Sequence, residues 1–239
     1  MTIKNWLEVK SVADVGEIWI YGEITDLKWF DEEVTPTYVK DELEKLKGSS
    51  SINLYVNSPG GNVFAGVAIY NELRRYNKPV TAYVDGIAAS IASLIVLAAD
   101  RVVMPSNSML MIHNAWMIAA GDYNEFRDLA DKLEKITDSV LVKTYQDKTQ
   151  LSKAKIKSMM DEETWLSGDE AVAMGFADEL AEEQKIAASY VGDNVQFNNV
   201  EVPLNRFKAF PKAKFTEHKP IKNQSLKTRH RHTINMLTA

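Results

Sequence analysis

The chain has 239 residues, 45% of them hydrophobic, a net charge of −5 and no cysteine, a size that suits one sizeable domain plus an appendage. The lack of cysteine excludes disulfides, thiolate metal sites and a cysteine nucleophile, so hydrolytic chemistry would have to use hydroxyls, carboxylates or histidine. No apolar run approaches the ~18 residues of a membrane span, and the N-terminus lacks the apolar segment of a secretory signal, so we expect a cytoplasmic protein without a membrane partner.

Strand and helix patterns alternate in the first hundred residues. The period of the apolar residues predicts strand 17–23, helix 37–47, strand 52–56, helix 63–76 and strand 80–84. Asp85-Gly86 predicts a turn, after which the uniformly apolar residues 90–99 indicate a buried helix. Strand, helix and strand in this order make a βαβ unit.

The second half of the body continues the alternation. It predicts short strands at 102–104 and 109–113, one long amphipathic helix at 124–145, a helix at 153–160 and a helix ending at 174–175. Ser167 and Glu170 form a capping box for the last of these helices. Together the elements predict an α/β fold with a mostly parallel sheet.

Charge divides the chain into two parts. Residues 1–184 carry 18 basic and 30 acidic residues, a net of −12, whereas residues 185–239 carry ten Lys/Arg against three Asp/Glu, a net of +7. From about Asn194 onward no period predicts a buried face. We therefore expect a domain over 1–184 and a flexible basic tail over 185–239, either a solvated extension or an interaction arm.

The histidines restrict the possible catalytic bases. Three of the four, His218, His230 and His232, fall in the basic tail, so His113 is alone in the body. A lone histidine is more often a packing or surface residue than a catalyst. A zinc site would need carboxylates for its other ligands, and we expect neither a metal nor a cofactor.

Ser90 and the Gly60-Gly61 pair are further candidates for chemistry. Ser90 lies where small residues meet an apolar helix, so it could be a plain N-cap or a hydroxyl beside the positive end of a helix dipole. The two glycines could be an ordinary turn or could leave backbone N–H groups open to a substrate carbonyl. Neither feature is specific alone, and no phosphate-binding loop is present.

Taken in order, these features resemble the Clp protease proteolytic subunit family. The matching motifs are INLYVNSPGG at 52–61, GIAAS at 86–90, PSNSMLMIH at 105–113 and WLSGDEAVAMGFAD at 165–178. The resemblance implies a crotonase-like ββα spiral with a long handle helix, which residues 124–145 would supply. It also implies a homo-oligomeric ring or double ring, a heptamer or tetradecamer, that can work with an AAA+ unfoldase.

The same resemblance assigns site residues. The nucleophile falls on Ser90 and the general base on His113. The oxyanion donors fall on the backbone N–H groups of Gly61 and Ile91, and Gly60 beside them is expected to contact substrate.

The acid of the triad is where this sequence departs from the family. Counting back from Trp165 places Glu163 where the family has aspartate, and Asp161 is the competing acid because the extra methylene of glutamate moves its carboxylate. Met111 and Asn114 flank the base and are expected to pack or to contact substrate.

The long extension distinguishes this chain from housekeeping Clp subunits. Clp-like proteases of phage head-assembly modules resemble it, which implies cleavage of capsid or scaffold protein in the host cytoplasm or a virion precursor. The tail would then dock on an acidic partner or, less expectedly, nucleic acid. The alternatives are a general ATPase-coupled peptidase, an acyl-CoA enzyme of the crotonase fold, a Ser-Lys peptidase and an inactive structural ring.

Overall fold

The computed structural model describes residues 9–12, 14–27, 30, 33–182, 188–197 and 200–217. The strands are β1 Val9–Val12, β2 Val15–Tyr21, β3 Glu23–Ile24, β4 Glu33–Val34, β5 Ser51–Ser58, β6 Val80–Ala89, β7 Arg101–Pro105, β8 Met109–Ile112, β9 Thr164–Ser167, β10 Glu179–Ala181, β11 Ala188–Val191, β12 Asn194–Phe197, β13 Val200–Pro203 and β14 Thr216–Glu217. The helices are α1 Pro36–Lys45, α2 Val63–Arg75, α3 Ile91–Val96, α4 Tyr123–Ile136, α5 Lys143–Thr149, α6 Lys153–Asp161 and α7 Gly168–Ala173. None of the described helices is both long enough and apolar enough to cross a bilayer.

The main sheet confirms the α/β prediction. Its central strands run parallel in the order β2-β5-β6-β7-β10, while β1 on β2 and β9 on β8 are antiparallel. Strand β2 alternates buried and half-buried residues, as expected of a strand with one face on the core. The predicted βαβ unit is β5, α2 and β6, and α2 begins at the Asn62 side chain, which caps the N–H of Ala65.

Strand β6 is longer than the sequence predicts. The prediction of a turn at Asp85-Gly86 is wrong, because the strand continues to Ala89. A register shift between Val56 and Ser58 lets the Asn57 side chain accept a hydrogen bond from Ile87 N at 3.2 Å, and residues 87–89 then pair with β8. Strand β6 therefore pairs with β7 in its first part and with β8 in its last part, and it ends directly before Ser90.

The long handle helix is present, and it extends beyond its predicted bounds. Helix α4 begins at a capping box of Asp122 and Glu125, continues through a π-helical segment, Thr137–Val142, and ends with α5 at Thr149. No residue of α4 is buried, whereas Leu141, Val142 and Tyr145 are buried in the main core. The first half therefore projects from the body and the second half packs on it.

The described part of the basic extension contains regular structure, contrary to the expectation of an irregular tail from about Asn194. Strands β11 to β14 form a sheet in the order β13-β12-β11-β14. Val195, Val202, Leu204 and Phe207 are buried, in one cluster with side chains of β6, β8 and β9. These strands are too short to show a period, and their burial depends on the body. The boundary near residue 185 stays a prediction, and His218, His230 and His232 lie outside the described residues.

Candidate active site

Ser90 occupies a strained position between β6 and α3. Its backbone has φ 55° and ψ −129°, a region that costs a non-glycine residue about 1–3 kcal/mol. Ser90 N donates to Met111 O at 2.9 Å, and Ser90 O accepts from the N–H and hydroxyl of Ser93 at 3.0 and 2.5 Å. The Ser90 hydroxyl makes no capping bond to α3. Ser90 is therefore not a plain N-cap, which was one of the two interpretations that the sequence allowed.

His113 contacts Ser90 directly. The distance from His113 Nε2 to Ser90 Oγ is 2.7 Å. Pairing of β6 with β8 sets Ala89 opposite Met111, so the residues that follow these strands meet although 23 positions separate them. The imidazole side chain is 13% exposed. A hydroxyl within hydrogen-bond reach of an imidazole is the arrangement of an activated nucleophile.

Glu163 lies behind the imidazole. It directly precedes β9, which pairs with β8 and sets Thr164 opposite Ile112. The distance from Glu163 Oε2 to His113 Nδ1 is 3.8 Å, and the carboxylate side chain is 5% exposed. That distance is an ion-pair contact, longer than a hydrogen bond, and such contacts in free enzymes commonly tighten when substrate binds.

Three other donors hold the Glu163 carboxylate. Lys208 N donates to Oε2 at 2.9 Å, Ala209 N donates to Oε1 at 2.8 Å, and Trp165 Nε1 donates to Oε1 at 3.2 Å. Burial alone would raise the pKa of Glu163, but the contact with His113 and these three donors outweigh it and lower the pKa to about 2. The carboxylate is therefore ionised throughout the neutral range.

This low pKa makes a prediction for stability. Because the folded-state pKa lies below the ordinary value of 4.5, the ionised carboxylate stabilises the fold above about pH 5, and that contribution is lost as pH falls toward 2. We expect the difference in free energy of unfolding between wild type and Glu163→Gln to shrink by about 3 kcal/mol over this range. Urea denaturation at a series of pH values measures it, and a pH-independent difference would contradict it.

Asp161 has a different partner. Its Oδ1 accepts a hydrogen bond from Asn114 Nδ2 at 2.7 Å, in an exposed position. The structure thus brings Glu163, and not Asp161, to the Nδ1 side of His113. Asn114 lines the cleft in front of Ser90, and its contact with substrate stays a prediction.

The backbone around Gly60 and Gly61 surrounds the serine. The glycines have φ of 89° and 148°. A Cβ on Gly60 would lie 2.7 Å from the Ser90 Cβ, and one on Gly61 would lie 2.0 Å from Ile24 O. Within the described part of the chain, neither Gly61 N–H nor Ile91 N–H donates to a protein acceptor, and both residues line the cleft with Ser90 and His113. These are the properties required of oxyanion donors.

The cleft has both apolar and charged walls. Its lining includes Trp116, Met117, Ile118, Leu141, Tyr145, Glu23, Arg206 and Phe207. Met111 is absent from the lining because its side chain is fully buried in the second core cluster. Of the two roles expected for Met111, the structure therefore supports packing and not substrate contact. Across the described ranges, no three His, Asp or Glu side chains group as metal ligands.

Sequence reasoning missed several residues of the site. Tyr145 of the handle helix shares a 2.8 Å hydrogen bond with Ser93 Oγ, which links the handle to the Ser90 carbonyl. Trp165 was named in the sequence motif, but its role as a donor to Glu163 was missed, although a buried indole N–H needs an acceptor. The donors at Lys208 and Ala209 are backbone groups, which no side-chain pattern indicates.

Comparison with known proteins identifies the family. The family model described as Clp protease matches residues 10–184. The chain belongs to the Clp protease family. It is 33% identical over 182 residues to the ATP-dependent Clp protease proteolytic subunit 2 of Treponema denticola, covering 74% of this chain and 87% of the relative. It is 31% identical over 146 residues to the ATP-dependent Clp protease proteolytic subunit of Deinococcus radiodurans, covering 60% and 71%. The predicted family is confirmed, and the basic extension lies beyond the matched residues.

Proposed function

We propose that this chain is a serine endopeptidase with Ser90 as nucleophile, His113 as general base and Glu163 as the acid that orients the base. The observation that carries the proposal is the 2.7 Å contact between Ser90 Oγ and His113 Nε2. The name of the relatives, Clp protease proteolytic subunits, supports the same activity. Glu163 is favoured over Asp161 because its carboxylate lies beside His113 Nδ1.

The mechanism follows from these positions. Nε2 of His113 removes the Ser90 hydroxyl proton as Oγ attacks the peptide carbonyl, and the Gly61 and Ile91 N–H groups bind the developing oxyanion. Glu163 stabilises the imidazolium and keeps the remaining proton on Nδ1. His113 then gives the proton at Nε2 to the leaving amine. Water, activated by the same nitrogen, hydrolyses the acyl-enzyme on Ser90.

A fluorophosphonate probe tests the proposed chemistry against the alternatives. We expect one covalent adduct per chain, located on Ser90 by peptide mass spectrometry, because the probe phosphonylates an activated serine, with loss of fluoride, and not an ordinary one. The probe should be applied to the assembled protein, and His113→Ala is the matched variant that keeps the serine and loses the base. If assemblies whose active sites are ordered are not labelled, the result would support an acyl-CoA enzyme or a structural ring.

Two substrate classes are compatible with this chemistry. The names of the relatives, which include the word ATP-dependent, favour a peptidase that receives unfolded protein from a AAA+ partner in the cytoplasm. The extension beyond residue 184 favours a phage head maturation protease that cleaves capsid or scaffold protein. Degradation of a folded substrate only with an unfoldase and ATP would assign the first. Cleavage of capsid or scaffold protein without ATP would assign the second.

The handle region supports assembly into rings. Several large apolar side chains are exposed on or just before α4, namely Trp116, Met117, Ile118, Tyr123 and Phe126. Trp116, Met117 and Ile118 also line the cleft, whereas Tyr123 and Phe126 do not, and large apolar side chains exposed on a projecting helix indicate a contact with another copy. We propose a homo-oligomeric ring or double ring, and native mass spectrometry would count its subunits as heptamer or tetradecamer.

A further inference from the structure

Residues 204–211, which we call the 204–211 segment, lie outside the part of the chain that the family model matches, and yet they contact the candidate triad. The N–H groups of Lys208 and Ala209 donate to the two different oxygens of Glu163, at 2.9 and 2.8 Å. A carboxylate held at both oxygens by backbone donors cannot rotate freely about its last bond. The segment therefore restrains the orientation of Glu163 toward His113.

Aromatic packing holds the 204–211 segment in place. The Trp165 ring makes edge contacts with Phe207 and Phe210, with centroid distances of 5.0 and 5.2 Å, and Phe210 stacks on Phe215 at 4.7 Å. Such aromatic pairs stabilise a structure beyond the burial of their area. Trp165 also donates to Glu163, so one side chain connects the aromatic cluster to the carboxylate.

An ion pair holds the other end of the segment to the body. Arg206 Nη2 lies 2.9 Å from Glu23 Oε1, with the Arg206 side chain 23% exposed. Arg206 and Phe207 line the same cleft as Ser90. The segment is thus anchored on both sides of the residues that donate to Glu163.

We propose that the 204–211 segment is a positioning element of the active site, which holds Glu163 against His113 through the N–H groups of Lys208 and Ala209. This inference rests on the proposed function. The segment would explain how a glutamate serves where the family resemblance implies aspartate, since the longer side chain has more torsions to restrain and receives two backbone donors from this segment. The extension is then required for turnover and is more than a docking arm.

The test removes one donor without changing the carboxylate. Ala209→Pro lacks the N–H that contacts Glu163 Oε1, and we expect it to lower kcat at least tenfold toward a short fluorogenic peptide while KM stays within twofold. In the Glu163→Gln background the same substitution should change kcat less than twofold, because the group on which it acts is absent. Ala213→Pro is the matched control, since no described acceptor bonds the N–H of Ala213, and it should retain wild-type kcat.

A second variant covers the case in which Ala209→Pro does not fold. Phe210→Ala keeps every backbone donor and removes the ring contacts of Phe210 with Trp165, Phe207 and Phe215, and it should show the same dependence on the Glu163 background. Equal losses in both backgrounds, or no loss in either, would overturn the inference for whichever variant folds. If Glu163→Gln itself retains full activity, the proposed acid fails. If Glu163→Gln lowers kcat and the variants of the 204–211 segment retain wild-type kcat, only this inference fails.

Discussion

Ser90→Ala will abolish peptide hydrolysis, lowering kcat about 10⁶-fold, the loss typical when a serine peptidase loses its nucleophile. Ser90 Oγ is the atom in contact with His113 Nε2, and no acyl-enzyme can form without it. Alanine keeps the β-carbon, so the backbone at φ 55° is no more strained than before and the fold should persist. Hydrolysis of a fluorogenic peptide by the assembled protein measures the effect.

The control for this variant is Ser50→Ala. Ser50 is exposed and directly precedes β5, at the end of that strand away from Gly60, and its replacement should leave kcat unchanged. The circular dichroism spectrum and the mass of the native assembly should match those of the wild type for both variants. Retained proteolysis in a folded Ser90→Ala assembly would remove the nucleophile assignment.

Glu163→Gln will lower kcat about 10⁴-fold, the loss seen when a triad carboxylate becomes an amide. An amide oxygen cannot stabilise the imidazolium as a carboxylate does. An amide –NH₂ would also face one of the N–H groups of Lys208 and Ala209, which donate to both oxygens. The buried site is therefore left with an unsatisfied donor.

Asp161→Asn is the matched comparison, and it should lower kcat no more than a few-fold. The side chain is exposed and contacts Asn114 rather than the imidazole. Both variants are assayed under the same conditions, with melting temperatures to exclude unfolding. A larger loss in Asp161→Asn than in Glu163→Gln would transfer the acid role to Asp161.

The fold was predictable where a local pattern determines it. Periodicity located β2, β5, α2 and the handle helix to within a few residues, because each buries one regular face. It failed at the end of β6, where Asp85-Gly86 has the composition of a turn. Residues 87–89 are held in the strand by β8 and by Asn57, which are distant in the sequence. Pairing of this kind is decided by tertiary structure and not by local preference.

The site was predictable to the extent that its chemistry resides in side chains. The ordered motifs point to Ser90, His113 and Glu163, and the structure brings these three together. The contribution of the 204–211 segment was not predictable from period or composition. Phe207 and Phe210 in a basic extension were a usable signal, because phenylalanine is among the residue types most often fully buried.

The close packing around Gly60 and Gly61 excludes substitution at these two positions, whereas other residues of the cleft can be replaced. The neighbours that a methyl group would meet include main-chain carbonyls of Ala89 and Ile24, which cannot swing aside as a flexible side chain can. The far walls of the cleft are side chains such as Met117 and Ile118. Natural drift or directed evolution can therefore alter the side chains that line the cleft, whereas the backbone at Gly60 and Gly61 leaves no room for a side chain.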